Sequence, residues 1–377
     1  ELYCEDVSLQ SIAEKFGSPI YVYSKATITR HVKVLQEGLS GMPHHICYAV
    51  KCNSNLAILD LINSLGCGFD AVSGGELAKV QHIGASMGDT ILSGVGKRDD
   101  EIEAALKAGV MYICIESAAE LEAVANVAKT VGMQAPVAVR VNPDVDAQTH
   151  PYISTGLRDS KFGIPWDEAI DAYQVAADCI HIDVVGLDCH IGSQLMSLDP
   201  FLEALDRMLE LVKALRSSGH NIRTLDLGGG LGIPYNPHDK KPPHPKELGK
   251  AVQERTSGYD LTLLFEPGRV IVGNAGILLM RVLYNKTNGE KRFVIVDAAM
   301  NDLIRLALYG AKHQIIPSIK SRKTLNKIFE FVGPICESTD KFLITNKFQN
   351  IDEGDFVIIC DVGAYGMSLA SNYNVRP

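Results

Sequence analysis

No stretch of the 377 residues approaches the length of apolar sequence that a membrane-spanning helix needs. The opening residues, ELYCEDVSLQSIAEKF, lack the basic region followed by an apolar one that marks a secretory leader, so a cytoplasmic location is the expectation. A lysine and arginine block is missing too. The formal charge is -9 with both signs interspersed, which offers no electrostatic footprint for nucleic acid or an anionic membrane. No CxxC pair occurs among the nine cysteines, and their odd, scattered set suggests neither a disulfide framework nor a metal site. Most of them sit inside apolar runs, as small core residues do. These absences leave small-molecule chemistry in a chain that is 46% apolar and long enough for one large domain and a second.

From about residue 45, short β-branched runs alternate with longer segments whose Leu, Ile, Val and Ala recur at helical spacing. Eight such runs follow one another: HICYAV (45–50), GFDAV (68–72), TILSG (90–94), MYICI (111–115), PVAVRV (136–141), VVGLDCHI (184–191), RTLDL (223–227) and LTLLFE (261–266). Eight strands separated by helices are the count of a (β/α)8 barrel, an α/β fold of the TIM type. An open doubly wound sheet would carry a glycine fingerprint after its first strand, where this chain has Lys51. After residue 270 the texture becomes β-rich, with a hairpin signal at Asn288-Gly289 and further runs in KIFEFVGPI, KFLITNKF and DFVIIC. The expected organisation is a barrel over 26–270 and an all-β domain of 271–377 that also takes in residues 1–25, whose PIYVYS run has no helix to pair with. One connection, 142–165, is long for a compact domain; it is either a lid or interface loop at the barrel mouth or a solvated excursion.

Side chains at the C-terminal ends of barrel strands face the site, which puts Lys51 at the rim. Desolvation there would lower its pKa and make the amine a Schiff-base nucleophile; a lysine that snorkels to solvent is the alternative. Two glycine turns, Gly228-Gly229-Gly230-Leu231-Gly232 and Glu266-Pro267-Gly268-Arg269, follow the last two strands. That is the usual place of a barrel's phosphate cradle, although a glycine run can also be a simple turn. An amine and a phosphate cradle at one mouth point to pyridoxal 5'-phosphate.

Six motifs then occur in order: YAVKCN at 48–53, HIGSQ at 190–194, GGGLG at 228–232, EPGR at 266–269, CESTD at 336–340 and GAYGMSLASNYNVRP at 363–377. Together, over essentially the whole chain, they resemble the diaminopimelate decarboxylase family of the alanine-racemase-like, fold type III pyridoxal-phosphate enzymes. The resemblance implies a barrel joined to a β domain and a homodimer with shared active sites. By position it makes Lys51 the cofactor-holding lysine and His190 the residue that packs on the cofactor ring. Ser193, Gly228, Gly229 and Gly230 become phosphate ligands, and Glu266 the partner of the pyridine nitrogen, with Gly268, Arg269 and Tyr365 also in the cofactor set. A carboxylate there keeps that nitrogen protonated and the ring an effective electron sink. Cys336 matches the family's general acid, contributed by the neighbouring subunit.

Substrate choice follows from charge. Diaminopimelate carries an ammonium and a carboxylate at its far end, so its pocket needs both signs. Arg269, Arg305 and Tyr309 match substrate-carboxylate contacts, Glu337 matches the contact to the distal ammonium, and Tyr365 lies near substrate. Ornithine decarboxylases of this fold have an aspartate after the cysteine and need no distal arginine, which favours diaminopimelate. The alternatives are a decarboxylase of another basic amino acid, or a pyridoxal-phosphate carrier without turnover. Asp70 and Glu76 are read either as orienting Lys51 or as helix caps. Leu306, where the family usually has proline, and Thr339, at a small-residue position, are the departures from its pattern. His150, Tyr152 and Lys161 in the long connection receive no role.

Overall fold

All eight apolar runs become strands of one parallel sheet. In the computed structural model, which describes residues 1–146, 160–319 and 323–376, they are β1 (His44–Ala49), β2 (Gly68–Ala71), β3 (Thr90–Leu92), β4 (Tyr112–Ile115), β5 (Ala135–Asn142), β6 (Ile182–Asp188), β7 (Thr224–Asp226) and β8 (Thr262–Phe265). Each pairs in parallel with the next, and β8 returns to β1 through Leu263 opposite His44, so the sheet closes into the expected barrel. Strands covered on both faces read as continuous apolar runs rather than alternating ones, and Gly68–Ala71 and Tyr112–Ile115 are buried at every position.

Local chemistry starts and stops the helices between them. Ser73 and Ser117 each accept a hydrogen bond from the amide three residues on, that of Glu76 and of Glu120, and both glutamates lie in the first turn. Gly109 and Gly132 end their helices in the left-handed conformation, with φ of 74° and 70°.

Along the strands, residues two apart share a face. One face of the barrel strands supplies an apolar cluster of Cys47, Ile91, Tyr112, Cys114, Ala138, Val185 and Leu264. Two residues beyond Cys114, Ala138 and Leu264 come Glu116, Arg140 and Glu266, and β6 and β7 end at Asp188 and Asp226. The interior thus changes from apolar to ionisable toward the C-terminal ends, where the loops begin.

The chain divides into two compact units: Thr29–Gly232 with Lys241–Gly268, which holds the barrel, and Glu1–Ile28 with Ile233–Lys240 and Arg269–Pro377. The second unit takes residues 233–240 out of the stretch expected for the barrel. It is built on a long strand, Gly276–Asn288, which turns at Gly289 (φ 60°) into Lys291–Val296, the hairpin expected at Asn288-Gly289. The N-terminal run Ile20–Tyr23 pairs antiparallel with the long strand, as does Phe356–Ile359. Lys291–Val296 in turn runs parallel to Ile328–Val332, which pairs with Lys341–Thr345.

Alternating residues of these strands fill the core of this unit: Leu278, Met280 and Val282, then Val294 and Val296, Phe329 and Phe331, Val357 and Ile359. The intervening Leu279 and Ile358 meet Leu9 and Ala13 of the helix Leu9–Phe16 on the other face. Phe331 packs edge-on against Phe348 with centroids 4.8 Å apart. No described helix is long and apolar enough to cross a membrane. Truncation of the wholly buried Phe331 to alanine should destabilise the protein by about 3–5 kcal/mol in denaturant unfolding.

Candidate active site

Lys51 lies in a short turn, Val50–Cys52, that leaves β1. The Ala49 amide donates to the Pro267 carbonyl at 3.1 Å, and the Tyr48 hydroxyl donates to the Asn53 carbonyl at 3.1 Å, so both ends of the turn are tied down. Its ammonium donates to the Asp70 carboxylate at 3.2 Å; the Asp70 side chain is fully buried and that of Lys51 is 40% exposed. The structure therefore separates the two acids of FDAVSGGE. Asp70 is the partner of Lys51, whereas Glu76 accepts from the Val72 amide at the start of a helix that Ser73 caps.

The loops after β6, β7 and β8 lock together through backbone groups. Leu195 donates to the Gly230 carbonyl at 2.8 Å, and Glu266 donates to the Gly228 carbonyl at 2.8 Å. Side chains have no room along the glycine run. A Cβ at 228 would lie 2.3 Å from Nδ1 of His190, one at 229 would lie 2.2 Å from the Glu266 carbonyl, and one at 230 would lie 2.7 Å from the Gly192 carbonyl. Gly229 donates its amide to His190 Nδ1 at 3.2 Å, which makes that nitrogen an acceptor. Burial, with the charges of Arg140 and Lys51, holds the imidazole pKa well below its usual value. Ser193 lies half-buried in the same loop as His190. Gly268 packs on the Lys51 turn, because a Cβ there would sit 2.0 Å from Cys52 Sγ.

Beneath these loops lies a buried acid network that sequence reasoning passed over. One oxygen from each of Asp188, Asp226 and Glu266 falls within 4.8 Å of the others. Tyr112 donates to Asp226 at 2.5 Å, and the Cys114 thiol donates to Asp188 at 3.1 Å. Arg140 reaches Glu116 at 3.2 Å and Asp188 at 4.0 Å. Burial opposes the arginine's charge, but Asp188 and Glu116 more than offset it and raise its pKa.

Three carboxylates this close cannot all ionise where water is excluded. Burial, partly offset by Arg140, pushes Asp188 up to about 6. Burial and then Asp188 push Asp226 up to about 8. Glu266 rises well above its usual value through burial and the charges of Asp70, Asp226 and Asp188, against the pull of Lys51. The legible signal was an aspartate inside each of two buried strand runs, VVGLDCHI and RTLDL.

The second unit carries charge of the other sign. Arg269 opens the short helix Arg269–Val272, and Arg305 opens Arg305–Tyr309, which ends at the half-buried Tyr309. Both arginines donate to the hydroxyl of Tyr235, Arg305 at 3.2 Å. The Arg269 guanidinium also lies 5.0 Å from the ring centre of Tyr365. Arg305 donates from Nε to His313 at 3.3 Å. Tyr235 and His313 had no sequence signal, being distant in the chain and unremarkable in type. Leu306 points its side chain to the apolar core of this unit.

Cys336 and Glu337 belong to the second unit too but not to the arginine group. Cys336 is the one cysteine that is exposed, and its amide donates to Asn374 at 3.5 Å. Glu337 accepts from the Tyr373 hydroxyl at 2.5 Å, and Thr339 is exposed with its hydroxyl 3.7 Å from Met300 Sδ. No hydrogen bond joins Cys336 or Glu337 to either arginine among the described residues. Of the long connection, His150 and Tyr152 lie outside the described residues. Its later end is anchored by Gly163, which donates to Glu116 at 2.9 Å, and by Phe162, whose ring lies 4.8 Å from the Arg140 guanidinium. Lys161 lies 5.2 Å from the same ring.

With this geometry in hand, comparison with known proteins identifies the group to which the chain belongs. The family model for the pyridoxal binding domain of pyridoxal-dependent decarboxylases matches residues 25–273. A diaminopimelate decarboxylase of Pseudomonas aeruginosa is 51% identical over 376 residues, covering 100% of this chain and 90% of the relative. That of Vibrio cholerae is 47% identical over 378 residues with the same coverage of both chains. The crystal structure of diaminopimelate decarboxylase from Helicobacter pylori complexed with L-lysine superposes with a TM-score of 0.93 at 39% identity, covering 98% of this chain and 92% of that one. The chain belongs to the diaminopimelate decarboxylase family of pyridoxal-dependent decarboxylases.

The acid network has a consequence for stability. A carboxyl whose folded pKa is raised contributes stability that is complete below its unfolded pKa and is lost as pH rises through the folded one. For Asp226 that loss runs from about 4 up through about 8. Thermal melts of the cofactor-free protein should therefore fall between pH 6 and 8.5, and Asp226→Asn should flatten that fall.

Proposed function

We propose that the chain is a pyridoxal-phosphate-dependent carboxy-lyase that converts meso-2,6-diaminopimelate to L-lysine and CO2, the last step of lysine biosynthesis. The observation that carries this reading is the Lys51 amine at the end of β1, 3.2 Å from the buried carboxylate of Asp70. The residues of the barrel unit suit the cofactor. Lys51 offers an amine for an aldehyde, and Glu266 a carboxylate for a ring nitrogen. His190 offers a flat neutral ring, and the closely packed glycines at 228–230 offer, beside Ser193, a cradle without side chains for a phosphate, next to the Gly228 and Gly229 amides that donate to Asp226 and His190.

Bound pyridoxal phosphate supplies an electron sink for the pair left when the bond from Cα to the carboxylate breaks. Lys51, its charge balanced by Asp70, would hold the cofactor through its amine. Glu266 would face the ring nitrogen and favour its protonated form. Cys336 Sγ returns one proton to Cα after CO2 has left.

Charge supports the substrate assignment. Arg269, Arg305 and Tyr309 of the second unit serve a carboxylate, Tyr365 lies with them, and Glu337 serves the distal ammonium. Arg305 is buried at 6% exposure, and a buried guanidinium calls for an anion. The exposure of Cys336 and Glu337 is what residues contributed to a neighbouring copy would show, so the working form is a homodimer with shared sites. Nine free cysteines favour a reducing, cytoplasmic compartment.

Release of CO2 from meso-diaminopimelate, ornithine and arginine, supplied in parallel, tests the reading. The rate on diaminopimelate should dominate; a dominant rate on ornithine would overturn the substrate, and none on any would leave a carrier. Borohydride should fix the cofactor to the peptide bearing Lys51. Cys336→Ala should keep the visible absorption of the bound cofactor while product formation falls by about 10²–10⁴-fold.

A further inference from the structure

We propose that His313 and Tyr235 are positioning residues for Arg305: the imidazole Nε2 and the phenol oxygen engage part of its guanidinium and aim the remaining donors at the carboxylate of the substrate. The inference rests on the functional reading above and deepens it. Neither residue belongs to any motif of the sequence.

The contacts form a chain with one possible set of proton positions. His313 is 2% exposed, and its Nδ1 lies 3.0 Å from the Cys360 carbonyl. A carbonyl only accepts, so Nδ1 carries the proton and Nε2 presents its lone pair. Arg305 donates from Nε to that lone pair at 3.3 Å and from Nη2 to the Tyr235 oxygen at 3.2 Å. The ring of Tyr235 stands edge-on to His313, with centroids 5.0 Å apart and planes at 82°, so each fixes the other. Burial and the charges of Arg305 and Arg269 pull the His313 pKa down to about 4, which keeps the lone pair available near neutrality.

The neutrality of both acceptors matters. A carboxylate in either place would orient the guanidinium but also neutralise it, and a bound anion would then compete for a spent charge. An imidazole and a phenol orient the group and leave its charge intact. A guanidinium has five N–H donors. Two are engaged here, and among the described residues no carboxylate pairs with Arg305, so three donors remain for a ligand. Tyr235 also accepts from Arg269, so one phenol sets two cations beside one another.

The test uses the holoenzyme and L-lysine, the product, which keeps the carboxylate that decarboxylation spares and therefore reads the receptor without chemistry. His313→Ala should weaken lysine binding and raise KM for meso-diaminopimelate by about tenfold, with a smaller change in kcat and no change in the absorption of the bound cofactor. His313→Gln, whose carbonyl oxygen can take the place of Nε2, should recover most of that loss. Tyr235→Phe should weaken lysine binding as well, and it decides the question together with His313→Gln if the alanine variant does not fold.

Lysine binding unchanged in His313→Ala and Tyr235→Phe would overturn the proposal, as would a loss in His313→Ala that glutamine does not recover. Arg305→Ala separates the two levels. If it also binds lysine normally, the carboxylate reading of Arg305 fails. If it alone loses lysine, only the positioning role fails.

Discussion

Burial of ionisable groups at the C-terminal end of the barrel is the constraint on which the rest of the structure depends. Asp70, Glu116, Asp188, Asp226 and Glu266 occupy that end with Lys51 and Arg140 as the cations they contact. Asp188, Asp226 and Glu266 crowd together there, and burial with repulsion from neighbouring acids raises the pKa of each. Glu266, the acid that the proposed chemistry uses, is thereby tuned by Asp70, Asp226 and Asp188. The barrel holds this arrangement because its apolar layer of Tyr112, Cys114, Ala138 and Leu264 fixes the strands from which the acids project.

The loops above this layer are shaped by exclusion. The glycines at 228–230 are required less for their own flexibility than because atoms of His190, Gly192 and Glu266 already stand where side chains would be. Close packing of three loops leaves a surface without side chains along this run, where the Gly228 and Gly229 amides donate to Asp226 and to His190. Gly268 does the same for the turn that carries Lys51, since anything larger would displace Cys52. The second unit solves the opposite problem. Arg305 is oriented by two neutral partners, a phenol and an imidazole, and the same phenol accepts from Arg269. The two units thus carry opposite chemical biases, acids around an amine in one and cations among aromatic rings in the other.

The eight barrel strands were legible in the sequence because parallel strands covered on both faces need continuous apolar runs, which stand out between helical spacings. The hairpin at Gly289 was legible because a tight turn there needs φ of 60°. Lys51, the glycine run and Cys336 were singled out by position and motif; the exposure of Cys336 among the nine cysteines was not legible there and came from the fold. The acid network was only half visible. Asp188 and Asp226 stood in plain view inside apolar runs, but whether a buried aspartate meets a cation, a hydroxyl or another acid depends on strands that are far apart in the chain. Residues 233–240 showed least of all, since nothing in their composition says that Tyr235 joins the second unit.

By itself, then, the sequence determined the elements, their order, and the residues whose type alone limits their chemistry: an amine, a thiol, a run of glycines. Those properties are local, set by backbone preference and by the spacing of apolar side chains. Partnership was decided only by the tertiary structure. It gave Asp70 rather than Glu76 to Lys51, brought Asp188 and Asp226 to Glu266, and set Arg305 between His313 and Tyr235. A charge acquires its pKa and direction from what lies within a few ångströms of it, and those neighbours come from segments that only folding brings together.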